Sequence, residues 1–444
     1  MRRRILAGAA IALIGAATFV VAAPAEAHVV PSTTIELDVH ESYVTATLTL
    51  PETDLATASG IDLTSAGLSD SDEAAITEYL EEHFAVTSDA GDWTVSIADI
   101  GSTETEQWGS TPFEAVTAEA TITPPTGVSP RAFTLDYDAI IHQVVTADVF
   151  AILHSDWETG ELESSRSLGT ITVDTVTGEI PPLTVSLDSG SAWQGFIGMV
   201  TLGVSHIAEG TDHQLFLLTL LLPAPLLAIS RRWTGVAPTR RAVRGIAAIT
   251  IAFTIGHSVT LALGALGLPV PQAPVEALIA VSIIIAAAHA IRPIFPGREP
   301  LIAGLFGLVH GMAFSTTLSS LSLSGVQLGL SLLGFNLGIE IMQLAVVALV
   351  LPPLLVLART RVYRPLRITA AAVTTVAAVG WLIDRVGLAN PVGAWADSLG
   401  EMSPFIAAGL WVAAVVTVFR RHHAAAAPLA STATRNEAAV SPGS

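Results

Sequence analysis

Apolar and polar positions divide this chain into two parts with different periods. From Thr34 to Val173 they alternate, as in Thr34-Ile35-Glu36-Leu37-Asp38-Val39 and Tyr43-Val44-Thr45-Ala46-Thr47-Leu48. A period of two predicts strands with one buried face. The same pattern predicts further strands over Trp93 to Ile97, Phe113 to Ile122, Phe133 to Ile141, Val145 to Leu153 and Gly169 to Val173. One helix is expected from Asp72 to His83, with Ser71 as N-cap and Ala75, Ile76, Tyr79 and Leu80 on one face. Turn residues at Pro124-Pro125 and Gly127 to Pro130 separate the runs, and a β-sandwich-like domain is the expected fold.

From Trp193 the pattern changes to apolar segments of about 17 to 25 residues, the length that spans a bilayer. Their cores lie near 213–230, 245–266, 275–292, 300–320, 327–357, 368–386 and 401–419. The connecting arginines Arg231/Arg232/Arg240/Arg241/Arg244, Arg292/Arg298, Arg359/Arg361/Arg364/Arg367 and Arg420/Arg421 can all be cytoplasmic if 193–230 crosses an odd number of times. As one straight helix that segment would be about 57 Å long, against a bilayer core of about 30 Å. A break near Gly210 is therefore expected, with Trp193 to Ala208 as a re-entrant, interfacial or broken first half. The sum is an all-α polytopic membrane domain of about seven crossings with a cytoplasmic C-terminus.

Composition adds an address and excludes some chemistry. The chain has 444 residues, is 51% hydrophobic, and has a mean hydropathy of +0.60, as expected of a multi-pass protein of the cell membrane. Arg2-Arg3-Arg4, the apolar run Ile5 to Ala23 and Ala25-Glu26-Ala27 read as a signal peptide over 1–27, with an uncleaved first transmembrane helix as the alternative. The expected organisation is then an acidic extracytoplasmic domain over 28–190, a membrane domain over 191–420 and a disordered cytoplasmic tail over 421–444. Most of the 39 acidic residues fall between His28 and Ser191, where only Arg131 and Arg166 are basic. No basic patch supports nucleic-acid binding. Cysteine is absent, which removes disulfides and thiolate ligands and leaves imidazole and carboxylate, donors suited to Ni, Co, Zn or Mn.

Four polar places interrupt the apolar half. Ser205 to His213 carries His206, Glu209, Asp212 and His213, either a solvated loop or a costly buried group. Along an unbroken helix His206 and His213 would be about 10 Å apart on one face, and a break at Glu209-Gly210-Thr211 would bring them together. His257 stands at mid-span beside Ser258, and His310 lies on a face with Gly304, Gly307 and Gly311 that permits close helix packing. Asn336, Glu340 and Gln343 form a stripe at i, i+4 and i+7, where the Glu340 carboxyl needs a proton, a metal or a cationic partner. His289, near Arg292, is a candidate exit-path residue.

Gly203-Val204-Ser205-His206 through Asp212-His213-Gln214-Leu215-Phe216-Leu217-Leu218 resembles the signature of the HupE/UreJ family of hydrogenase- and urease-associated membrane proteins. Phe253 to Leu261, Phe306 to Phe314 and Gly334 to Gln343 resemble later family segments, so the likeness covers roughly 193–350, in a branch with an N-terminal extracytoplasmic domain. The resemblance implies a nickel- or cobalt-type permease, or a metal-handling accessory protein. The ion would be Ni2+, with Co2+ or Zn2+ as alternatives, and the partners would be the lipid bilayer and metalloenzyme maturation proteins. It implies His206, Asp212 and His213 as principal ligands, assisted by His257, His310 and Glu340, with Glu209, Ser258, Asn336 and Gln343 in support.

Two other classes fit the residues. One is an intramembrane zinc hydrolase in which Glu209 or Glu340 activates water, although neither His-Glu-x-x-His nor Gly-x-Ser-x-Gly occurs. The other is a metal sensor built on an N-terminal His28 with His40, His142 or His154.

Overall fold

The alternating runs become strands wherever one face reaches a core. In the computed structural model, which describes residues 31–63, 67–107, 111–268, 271–388 and 390–426, β1 (Thr33–Val39) and β2 (Val44–Pro51) pair antiparallel with Ile35 opposite Leu48. The segment 1–27, His28 and the chain beyond 426 lie outside the described residues. With β5 (Thr94–Thr105), β6 (Phe113–Thr123), β8 (Val149–Asp156) and β9 (Arg166–Ile171) they form a six-stranded sheet in the order β5-β6-β2-β1-β8-β9. A second sheet has the order β10-β7-β3-β4, from β3 (Phe84–Ser88), β4 (Gly91–Asp92), β7 (Ala132–Tyr137) and β10 (Leu183–Ser186). Ile35, Leu37 and Leu48 of the first sheet and Phe84, Phe133 and Val185 of the second belong to one buried cluster, so the sheets share a core as a sandwich does. Leu37→Ala is expected to destabilise this unit by about 2–5 kcal/mol, read as a lowered unfolding midpoint of the full-length protein.

Three local details differ from expectation. The helix α2 (Asp70–His83) is preceded by a short α1 (Glu52–Ser59), and its N-cap is Ser69 rather than Ser71. A capping box needs an acceptor at N3, and Asp72 supplies it, taking a hydrogen bond from the Ser69 backbone N at 2.9 Å. Strand β3 follows His83 directly, without the turn residues that would have announced it. Strand β7 ends at Tyr137 rather than Ile141, because the chain curls into a turn in which His142 N donates to Asp138 O at 3.0 Å.

The chain divides into two units, one running to His154 and resuming over Ser164–Leu187, the other taking Ser155–Glu163 and everything from Asp188 onward. The second unit is helical: α3 (Ala192–Glu209), α4 (Thr211–Leu221), α5 (Thr239–Ala265), α6 (Gln272–Ile291), α7 (Glu299–Ala313), α8 (Ser315–Ser320), α9 (Gly325–Leu357), α10 (Tyr363–Arg385), α11 (Pro391–Glu401) and α12 (Ser403–Ala426). Among the described residues five helices are long and apolar enough to cross a membrane: α5, α6, α9, α10 and α12. The segments expected at 213–230 and 300–320 do not form single spans. Helix α4 stops at Leu221, where Pro223 and Pro225 remove donors and forbid continuation. The chain then makes a hairpin, β11 (Leu226–Ile229) and β12 (Arg232–Val236), around Ser230 and Arg231, both at positive φ. The second segment breaks at Phe314 into α7 and α8.

Helix pairs cross closely at glycines. A Cβ on Gly307 or Gly311 of α7 would run into the carbonyl oxygen of Phe253 or His257 on α5, and one on Gly203 of α3 or Gly338 of α9 into that of Phe335 or Val200. The glycine face around His310 therefore does pack, and it brings the turn bearing His310 against the turn bearing His257.

Candidate metal centre

The site begins where α3 gives way to α4. Gly210 N donates to His206 O at 3.1 Å, closing the last turn of α3, and Gln214 N donates to Gly210 O at 3.0 Å, opening the first turn of α4. The Gln214 amide reaches back across the break to the carbonyl of Ala208, and Thr211 Oγ1 donates to Asp397 O at 3.1 Å. These contacts satisfy backbone groups that a helix end otherwise leaves bare. The expected break is thus at Gly210, and it folds the chain so that the rings of His206 and His213 stand 4.7 Å apart.

Further imidazoles converge there. The His310 ring lies 5.1 Å from His213 and the His257 ring 6.3 Å from His206. Asp212 Oδ1 accepts from both the backbone N and Nδ1 of His213, each at 2.8 Å. Holding the proton on Nδ1 leaves Nε2 of His213 with its lone pair, the arrangement in which a carboxylate orients a ligating histidine. That Nε2 is 3.4 Å from His310 Nδ1, long for a hydrogen bond, and Nε2 of His310 meets Ser282 Oγ at 2.9 Å. Asp212, His213 and His310 can each bring one ligand atom within 4.8 Å of the others. Among the described residues Nε2 of His206 has no hydrogen-bond partner, and His257 is fully buried. Orphaned buried nitrogens cost about 1–3 kcal/mol each. The rings of Phe314 and Phe335 pack on His206, and those of Phe216 and Phe253 on His310, so the walls are dry.

Access is through a cleft of about 940 Å³ lined by His206, Asp212 and His213 and rimmed by Glu163, Glu209, Glu276, Asp397 and Glu401. Arg385, the basic residue in its lining, is paired with Glu276 at 2.6 Å. His213 also lines a narrow cavity on the far side, together with Thr250, Phe253 and Gln343, whose Oε1 is buried without a partner.

Not every expected residue joins this cluster. Glu340 accepts from Thr254 Oγ1 at 2.8 Å, and Asn336 Oδ1 accepts from Ser258 Oγ at 2.6 Å, so that stripe binds α9 to α5. Glu209 is exposed at the cleft rim. His289 caps its own helix end, its Nδ1 accepting from the backbone N of Ile294 and Phe295. In the outer unit His40 bonds Thr45 and His154 pairs with Asp38 at 2.7 Å, while His142 gathers with His83 and Asp138. Sequence reasoning missed Ser282, Thr254 and the rim acids Glu276, Asp397 and Glu401. Of these Glu276 had a signal, a carboxylate inside an apolar run.

This architecture defines a multi-pass membrane protein with a histidine centre buried where helices break. Residues 184–385 match the family model described as HupE / UreJ protein, and this segment holds the whole cluster. A mostly-β unit precedes the matched segment. No curated protein and no solved structure matches the chain.

Proposed function

We propose that the protein is a permease for a divalent transition-metal ion of the nickel type, with Co2+ and Zn2+ as competitors. The observation that carries this reading is the gathering of His213 and His310 with Asp212, with the ring of His206 beside His213 and that of His257 beside His206. Neutral imidazoles and a carboxylate are the donor set such ions prefer when thiolates are absent. Two nitrogens held at about 2.1 Å from one tetrahedral ion lie about 3.4 Å apart, which is the separation of His213 Nε2 and His310 Nδ1. The family's association with membrane metal transport and accessory roles supports the same conclusion.

In this reading the acidic rim concentrates the cation, and His206, Asp212 and His213 replace its water at the cleft floor. His310 and His257 take it deeper, and the cavity beside Thr250 and Gln343 continues the path. The cleft faces outward and the arginine clusters inward. A membrane potential of 100 mV then drives a doubly charged ion inward with about 4.6 kcal/mol.

Flux into proteoliposomes is the test. Purified protein reconstituted with an internal Ni2+ indicator should give a signal that protein-free vesicles lack. Protein that binds Ni2+ tightly yet shows no flux would overturn the permease in favour of a fixed metal site, as a hydrolase requires.

A further inference from the structure

The outer unit holds a second gathering of metal-type donors. His83, Asp138 and His142 can each bring one ligand atom within 4.8 Å of the others, and all three are half-buried. They come from separate places: His83 is the last residue of α2, Asp138 follows β7, and His142 lies one turn further on. The turn that recruits His142 is strained, because Ile140, a β-branched residue, sits at φ 68°. It is held there by its own burial, by Val144 N donating to Ile140 O at 2.8 Å, and by Ile140 N donating to Tyr79 Oη at 2.8 Å. Strain of this kind persists only where the surroundings over-determine it.

Asp138 fixes both imidazoles. Its Oδ1 lies 2.7 Å from His83 Nδ1, and its backbone O lies 3.1 Å from His142 Nδ1. A neutral imidazole can carry its proton on Nε2 instead, which frees the Nδ1 lone pair, so an ion can take the place of the proton between His83 Nδ1 and Asp138 Oδ1. The two rings stack at 4.3 Å with an interplanar angle of 10°, which holds the two imidazoles side by side. Donor atoms around one ion at about 2.1 Å are about 3 to 3.4 Å apart, so the trio closes by side-chain rotations that its exposure permits. The C-terminal end of α2, where His83 stands, adds the negative pole of a helix dipole.

We propose that His83, Asp138 and His142 form a separate, exchangeable site for a divalent transition-metal ion in the outer domain. Three protein ligands leave a position open to water, as in labile sites rather than closed structural ones. The site stands on its own residues and does not depend on the membrane centre.

Full-length protein in lipid nanodiscs, dialysed against Ni2+ or Zn2+ and analysed for bound metal, tests it. His142→Gln and His83→Gln should each weaken one class of bound ion by more than the about 10–100-fold that losing an orienting partner costs, while His213→Ala leaves that class intact. Should either glutamine variant unfold, Asp138→Asn, which keeps the volume and an acceptor oxygen, must show the same weakening. Unchanged stoichiometry and affinity in folded His142→Gln, or in Asp138→Asn, overturns the site. Failure of the membrane reading would look different: His213→Ala would then cost no bound metal.

Discussion

His213→Ala is expected to abolish Ni2+ accumulation by cells, lowering uptake by more than about 100-fold, beyond the 10–100-fold typical of losing a group that only orients a ligand. His213 lines both the large cleft and the narrow cavity, and its Nε2 faces His310 at 3.4 Å. Removing it takes away the imidazole that the proposed path relies on where the two spaces meet. Asp212→Asn should fall in the intermediate range, because the carboxylate fixes the ring of His213 through its Nδ1. Glu340→Gln should leave metal affinity nearly unchanged, since that carboxylate is engaged by Thr254. Uptake at equal expression, with bound Ni2+ measured on the purified variants, gives the order. Normal accumulation by His213→Ala would remove the histidine centre from the transport path.

Gly210→Ala is expected to be nearly as damaging, although it removes no donor atom. A Cβ at this position would stand 2.6 Å from His206 O, 3.1 Å from His213 Nδ1 and 3.2 Å from Asp212 Oδ1. The first distance is one that real Cβ atoms essentially never show, and the obstacle is backbone, so the turn must open. Opening it separates His206 from His213 and tilts Asp212 away from the ring it orients. Ni2+ affinity should drop by at least about tenfold, since misplacement by an ångström costs a preorganised site dearly. Unfolding of the outer unit should be unaffected, because its core is built from other residues. Wild-type affinity in this variant would mean that the break tolerates a side chain and that the site does not depend on its geometry.

The break was legible because a segment too long for one crossing carried its polar residues around a glycine. Length, charge and period combined there. The strands β1, β2 and β6 were legible for the same reason, since their alternation is regular and their ends are marked. Strand β3 was not, because helix passes into strand at His83-Phe84 with no residue to punctuate it. The break at Phe314 has no sequence signal of its own, whereas Pro223 and Pro225 mark the end of α4 inside an apolar run. The rim acids of the cleft and the trio around Asp138 depend on contacts between residues far apart in the chain. Spacing along the sequence holds no record of such contacts.

The glycine crossings also decide which way the membrane unit can yield. Within the pair α5 and α7, and within the pair α3 and α9, backbone rests on backbone, so sliding either pair drives a carbonyl into a neighbouring helix. Between the pairs run side-chain hydrogen bonds, of Thr254 to Glu340 and of Ser258 to Asn336. The membrane unit thus holds two pairs joined backbone to backbone and a seam between them bridged by side chains. His206 belongs to one pair and His257 and His310 to the other, so the same displacement that parts the pairs loosens the grip on whatever they jointly hold.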